Sequence, residues 1–201
     1  QRVIAVPEQA RAMLLVELDG EHGAVDGDME RLGNALLDAG ALDVIVAKHA
    51  ADRERLWNVR RLMSRSLREL AAHKLSEDVV VPRSQLGALL SRCREISERH
   101  RIRMPSYGHA GDGNMHVNFL WDTPAERPRV DAAIRALMEA TIALGGTLSG
   151  EHGIGLLKMP YLSLEQSEEV IELQRGLKRL FDPAGILNPG KIFPKVGHGA
   201  C

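Results

Sequence analysis

Two glycine-rich stretches carry the residues best suited to chemistry. The first is Tyr107-Gly-His-Ala-Gly-Asp-Gly-Asn-Met-His116, with three glycines in six positions. Glycine opens backbone conformations closed to other residues and lets the chain approach a ligand closely. On the strand expected after this loop, alternation puts Asn114, His116 and Asn118 on one face and Met115, Val117 and Phe119 on the other. A polar row on a central strand costs free energy unless its groups find partners, so that face is expected to look onto a site. The second stretch is Gly145-Gly-Thr-Leu-Ser-Gly-Glu-His-Gly-Ile-Gly155, in which Gly150 and Gly153 bracket an acid and imidazole pair, Glu151 and His152. His109, His116 and Glu151 make a three-donor set for Zn²⁺ or a similar borderline cation with one position open. His152 is then left as a base beside it. The same residues also have plainer readings: a tight turn, a hydrogen-bonded strand histidine and a surface acid. Asp112 is one more carboxylate in the first loop, although Asp-Gly is first of all a turn signal.

A third candidate lies in the arginine-rich segment Arg53 to Arg68. At 100° per residue most of its arginines fall on a solvated face. Arg60 falls at the edge of the apolar stripe, with Ser64 one turn on and Trp57 one turn back. A guanidinium held there suits a bidentate clamp on a carboxylate, or equally a structural ion pair.

The elements that must position these residues follow from the spacing of apolar residues. Apolar runs at 12–18 and 42–47 predict short buried strands, with a helix over 24–39 between them ended by Gly40. A second helix is expected at about 52–71, a strand at 78–81, a third helix at 83–100 after Pro82, and a strand at 114–121. Thr123-Pro-Ala-Glu126 has capping-box spacing and opens a helix that runs to Gly145-Gly146; Ser163-Leu-Glu-Gln166 is expected to open the last helix, closed by Asp182-Pro183. No nucleotide-binding fingerprint follows any strand. Alternating strands and helices would suit a parallel sheet, but the strands are few and short, and an α+β, ferredoxin-like domain whose mostly antiparallel sheet is covered by helices is the expected fold. The tail 194–201 is expected to be flexible.

Composition narrows the classes. The 201 residues are enough for one domain with a sizeable core. The 26 Lys and Arg against 27 Asp and Glu leave a formal charge of -1, which removes the global attraction that non-specific nucleic-acid binding needs. No apolar run approaches a membrane span, and Cys93 and Cys201 form no disulfide framework. A cytoplasmic protein is expected. The chain opens almost directly on a strand-like segment without an initiator Met, which reads as a piece of a longer polypeptide.

Taken together, SYGHAGDGNMHVNF, GGTLSGEHGIGLLKMPYL and LFDPAGILNPGKIF resemble the C-terminal domain of the FAD-linked oxidase family. Its members include D-lactate dehydrogenase, the flavin subunit of glycolate oxidase and D-2-hydroxyglutarate dehydrogenase. The resemblance runs from about residue 12 to residue 195 and implies oxidation of a D-2-hydroxy acid to the 2-keto acid. It implies that His109, His116 and Glu151 bind a divalent metal, Zn or Mn, and that His152 is the base. Arg60 and Ser64 are implied to bind the substrate with Asn114, and Asn188 to approach the FAD. Most of the flavin contacts would come from an N-terminal FAD-binding domain, so this chain alone is expected to be catalytically silent. One departure stands out: a substrate-binding Lys of some members, notably the hydroxyglutarate type, is replaced by Ser76. Lys74, two residues earlier, is on the same side of an extended chain. The competing readings of the donor set are a metal-dependent hydrolase and an anion-binding module without chemistry.

Overall fold

A computed structural model describes residues 6–21 and 23–193. The chain divides into two compact units, Gln1–Ser66 and Leu67–Cys201. The tail 194–201, and Cys201 with it, lies outside the described residues.

The first unit is built from two helices, α1 (Ala24–Asp38) and α2 (Ala50–Arg68), the second running two residues past the boundary. Ala39 and Gly40, the latter at φ +91°, close α1 as the sequence predicts. The strands expected at 12–18 and 42–47 do not form. Met13, Leu14, Leu42 and Ile45 are each at least half exposed. An apolar run becomes a strand only when another strand pairs with its N–H and C=O groups, and no ladder reaches either run among the described residues.

The second unit contains the sheet. Its strands are β1 (His73–Val80), β2 (Ser106–His109) and β3 (Asn114–Trp121), ordered β1-β3-β2, with both pairings antiparallel. Helix α3 (Leu86–His100) connects β1 to β2, and α4 (Arg127–Ala143) follows β3. An isolated antiparallel bridge, Val80 to Thr147, then adds the start of a third pairing on the outer side of β1. This succession is the ferredoxin-like layout expected from the sequence, in an α+β fold. β1 begins five residues before the predicted 78–81, because the polar segment His73–Glu77 pairs with β3 despite lacking an apolar run. β2 was hidden within the glycine loop.

The helices cover one face of the sheet. Val79, Met115, Val117 and Phe119 project into a core shared with Leu89, Cys93 and Ile96 of α3 and Val130, Ile134, Leu137 and Met138 of α4. The free thiol of Cys93 is buried there, and burial pushes its pKa up to about 11. The Thr123–Glu126 capping box forms as predicted and leads through a short 3₁₀ turn into α4. Ser163 does not open the last long helix: it lies in the single turn α5 (Leu162–Glu165), and Ser167 caps α6 (Glu168–Phe181) through Val170 N–H. Acids at the start of α6 and Lys178 and Arg179 at its end suit the helix dipole. Among the described residues no helix is long and apolar enough to cross a membrane.

Candidate active site

The site is built on the sheet face turned away from α3 and α4. Cross-strand register fixes its rows: Asp78, His116 and Tyr107 are neighbours across β1, β3 and β2, and Val80, Asn114 and His109 form the next row. Paired residues share a face, so the Asn114, His116, Asn118 row is joined by acid and aromatic neighbours. The glycines allow this close layout. A Cβ at Gly113, whose φ is +80°, would collide with the carbonyl of Val81, and one at Gly150 would stand 2.5 Å from Asn114 Nδ2.

Beyond α4 the chain is led back over this face. Gly145 at φ +74° ends the helix and Gly146 passes tightly beneath Val80. Thr147 exchanges two backbone hydrogen bonds with Val80, and the Glu165 carboxylate accepts from Thr147 Oγ1 at 2.7 Å and Leu148 N–H at 2.9 Å. The turn carrying Glu151 and His152 is thereby held above His116.

One ligand atom each from His109, His116 and Glu151 lies within 4.8 Å of the others. His116 Nε2 is 3.3 Å from Glu151 Oε1, the rings of His109 and His116 meet edge to face at 5.7 Å, and His152 stacks on His116 at 5.4 Å. His116 is almost fully buried, whereas His109, Glu151 and His152 are exposed. Burial lowers the His116 pKa against the opposing pull of the Glu151 carboxylate, and the net lowering favours the neutral ring whose lone pair a cation requires. Two imidazoles and a carboxylate are the donor chemistry of a Zn²⁺ or Mn²⁺ site with an open position. Beside them, Asn114 Oδ1 is buried without a hydrogen-bond partner among the described residues, an acceptor available to a bound molecule. The residues therefore fit a divalent metal with a polar ligand. Asp112 takes the turn role instead, accepting the N–H of Asn114 at 3.1 Å.

Beneath the turn lies a cluster that sequence reasoning missed. Asp78 is fully buried, and its Oδ2 accepts the N–H groups of Gly150, Glu151 and His152 at 2.9, 2.7 and 3.0 Å. The buried Lys158 ammonium pairs with Asp78 Oδ1, also donates to the Asp78 carbonyl at 2.7 Å, and sits 3.9 Å from Glu77. Burial alone would raise the Asp78 pKa, but Lys158 and the turn's N–H groups outweigh it and hold the group at about 2. For Glu77 burial wins over Lys158, and the pKa rises to about 7. Asp78 and Lys158 stand 80 positions apart, so no local spacing joins them. Two adjacent acids opening the apolar run Val79–Val81 were the available sign that a buried cation was needed.

Arg60 and Ser64 sit one turn apart on α2 in the first unit; both are half-buried, while Arg53, Arg55, Arg61, Arg65 and Arg68 are exposed, as the stripe-edge position predicts. Lys74 and Ser76 are in β1 on the same face as Asp78. Asn188 is exposed after α6, at φ +47°, and accepts from Lys191 Nζ at 2.9 Å. That segment is fastened to the end of the Glu151 loop by Ile192 N–H donating to Gly155 O at 2.8 Å.

The free face of the antiparallel sheet in this α+β fold thus carries two histidines and a carboxylate in metal-ligand spacing, with a further histidine beside them. Residues 1–192 match the family described as FAD linked oxidases, C-terminal domain, and the chain belongs to that family. The glycolate oxidase subunit GlcD of Bacillus subtilis strain 168 is 37% identical over 194 residues, covering 96% of this chain and 41% of that protein. GlcD of Escherichia coli K12 is 36% identical, over 94% of this chain and 38% of its own length. A D-lactate dehydrogenase of Archaeoglobus fulgidus is 39% identical over 157 residues, 78% of this chain and 34% of that one. The chain thus spans about two fifths of the length of the first two relatives.

Proposed function

We propose that this chain is the substrate-side C-terminal part of a flavin-dependent enzyme that oxidises a small D-2-hydroxy acid to its 2-keto acid. The observation carrying the proposal is the convergence of His109, His116 and Glu151, with His152 beside them, in a chain of the FAD-linked oxidase family. His109, His116 and Glu151 hold the divalent metal; Arg60 clamps the substrate carboxylate with Ser64 beside it, and Asn114 accepts a hydrogen bond from the substrate. His152 takes the hydroxyl proton, and Asn188 contacts the flavin, which is held chiefly by an N-terminal FAD-binding domain. When bound, the cation supplies Lewis acidity at the substrate oxygens and FAD supplies the two-electron acceptor. The side chains of this unit orient the hydroxy acid, receive its proton and carry the charge that develops.

The test is turnover by the full-length, FAD-containing protein with glycolate and D-lactate and a redox dye as acceptor. The expected result is dye reduction that a chelator abolishes and Zn²⁺ or Mn²⁺ restores, together with no turnover by the 201-residue chain alone. Flavin-independent, metal-dependent ester or amide hydrolysis by that chain would overturn it in favour of a hydrolase.

A further inference from the structure

We infer that Asp78 is a positioning residue for His152, fixing the imidazole so that Nδ1 carries the proton and Nε2 presents its lone pair to the substrate. The inference rests on His152 being the base. Its geometric ground is that His152 Nδ1 lies 3.4 Å from Asp78 Oδ1, while Nε2 lies on the side of the donor cluster, 3.7 Å from Glu151 Oε1. An ionised carboxylate only accepts, and the nearer of the two is Asp78, at 3.4 Å against 3.7 Å for Glu151, which the proposed site commits to the metal; Nδ1 is therefore the nitrogen that bears hydrogen. At 3.4 Å the two groups are in ion-pair range and not yet hydrogen-bonded, and catalytic contacts that are long without substrate often tighten when it binds.

Holding the turn does not by itself call for a charge. The three N–H groups of Gly150, Glu151 and His152 converge on one oxygen, Oδ2, and a neutral amide oxygen could accept them. A carboxylate there is costly, because it must be buried completely and matched by a buried lysine. The second oxygen, Oδ1, accounts for that charge: it faces both Lys158 and His152 Nδ1. Lys158 balances Asp78, and the oxygen left facing the ring holds it by Nδ1. The backbone bonds and the ring contact come from the same side chain, so the turn that aims Glu151 also sets the orientation of its neighbour.

The experiment uses two readouts. The first is a long-range ¹H–¹⁵N spectrum of histidine-labelled full-length protein, in which the expected His152 tautomer is Nδ1–H; an Nε2–H tautomer overturns the inference. The second is the double variant Asp78→Asn/Lys158→Met, which removes both buried charges while keeping an amide oxygen for the turn. Expected are unchanged metal content, KM within about threefold of the parent, kcat lower by about 10²- to 10⁴-fold and His152 moved to Nε2–H. Unchanged kcat, or a loss that only follows loss of metal, would make Asp78 structural and overturn it. The spectrum of the unsubstituted protein decides the matter even where the variant fails to fold. A full kcat in His152→Ala would instead remove the base reading, leaving the tautomer measurement to stand alone.

Discussion

None of the described residues 6–66 is buried, whereas the second unit encloses Phe119, Leu137 and Val117 completely. Both units contain apolar runs and amphipathic helices, so hydrophobic patterning alone does not separate them. The difference lies in pairing. β3 has a partner on each side, and its Met115, Val117 and Phe119 meet α3 and α4. The runs 12–18 and 42–47 have no ladder. The donor cluster and the buried Asp78 and Lys158 belong to the unit with the core, which suits a site needing rigid placement. Arg60 and Ser64, proposed for substrate binding, belong to the other.

The largest effect is expected from emptying the core of the second unit. Phe119→Ala should destabilise the chain by about 3–5 kcal/mol in denaturant unfolding, as expected for a large side chain leaving a cavity. A loss below about 1 kcal/mol would show that the second unit is not the stable one.

The next effect is electrostatic and confined to the same unit. The Glu77 pKa rises from 4.5 to about 7, so between those values the folded state binds more protons than the unfolded chain. Its stabilising contribution is complete below about pH 4.5 and is lost as pH rises through about 7, amounting to about 3 kcal/mol across the window. Relative to Glu77→Gln, the parent protein should therefore lose stability as pH rises. A constant difference between the two from pH 4.5 to 8 would contradict the burial argument.

Arg60→Lys moves the comparison to the first unit. In the full-length protein we expect KM for the hydroxy acid to rise about tenfold with little change in melting temperature, because Lys keeps the charge and loses the bidentate fork. A lowered melting temperature at constant KM would make Arg60 structural. The smallest effect is expected at Ile45→Ala, within about 0.5 kcal/mol, since the side chain is 53% exposed. A loss comparable to that of Phe119→Ala would mean that residue 45 is part of a core.

The sequence made legible what depends on local periodicity or on a compact motif. The strand 114–121 matched residue for residue, because alternation and the flanking turns agree there. The cluster of His109, His116 and Glu151 followed from two glycine loops whose chemistry is concentrated within a few residues. Most of what escaped depends on partners remote in the chain, the cap of α6 being a local exception. β1 began with the polar segment His73–Glu77, which only its pairing with β3 identifies as strand. Ser163 had cap-like spacing, but Ser167 occupies the cap because the chain first completes the turn α5. Asp78 and Lys158 meet across the open side of an edge strand, and no window of a dozen residues contains both.

In the proposed mechanism three side chains hold a metal while a fourth moves a proton. Its most direct test is bound metal and turnover measured together for His116→Ala and His152→Ala in the full-length enzyme. One divalent cation per chain is expected in the parent protein. His116→Ala should lose both metal and turnover, while His152→Ala should keep the metal and KM and lose turnover by about a hundredfold or more. A parent protein that binds neither Zn²⁺ nor Mn²⁺, or a His152→Ala that empties the site while His116→Ala leaves it filled, would contradict the account.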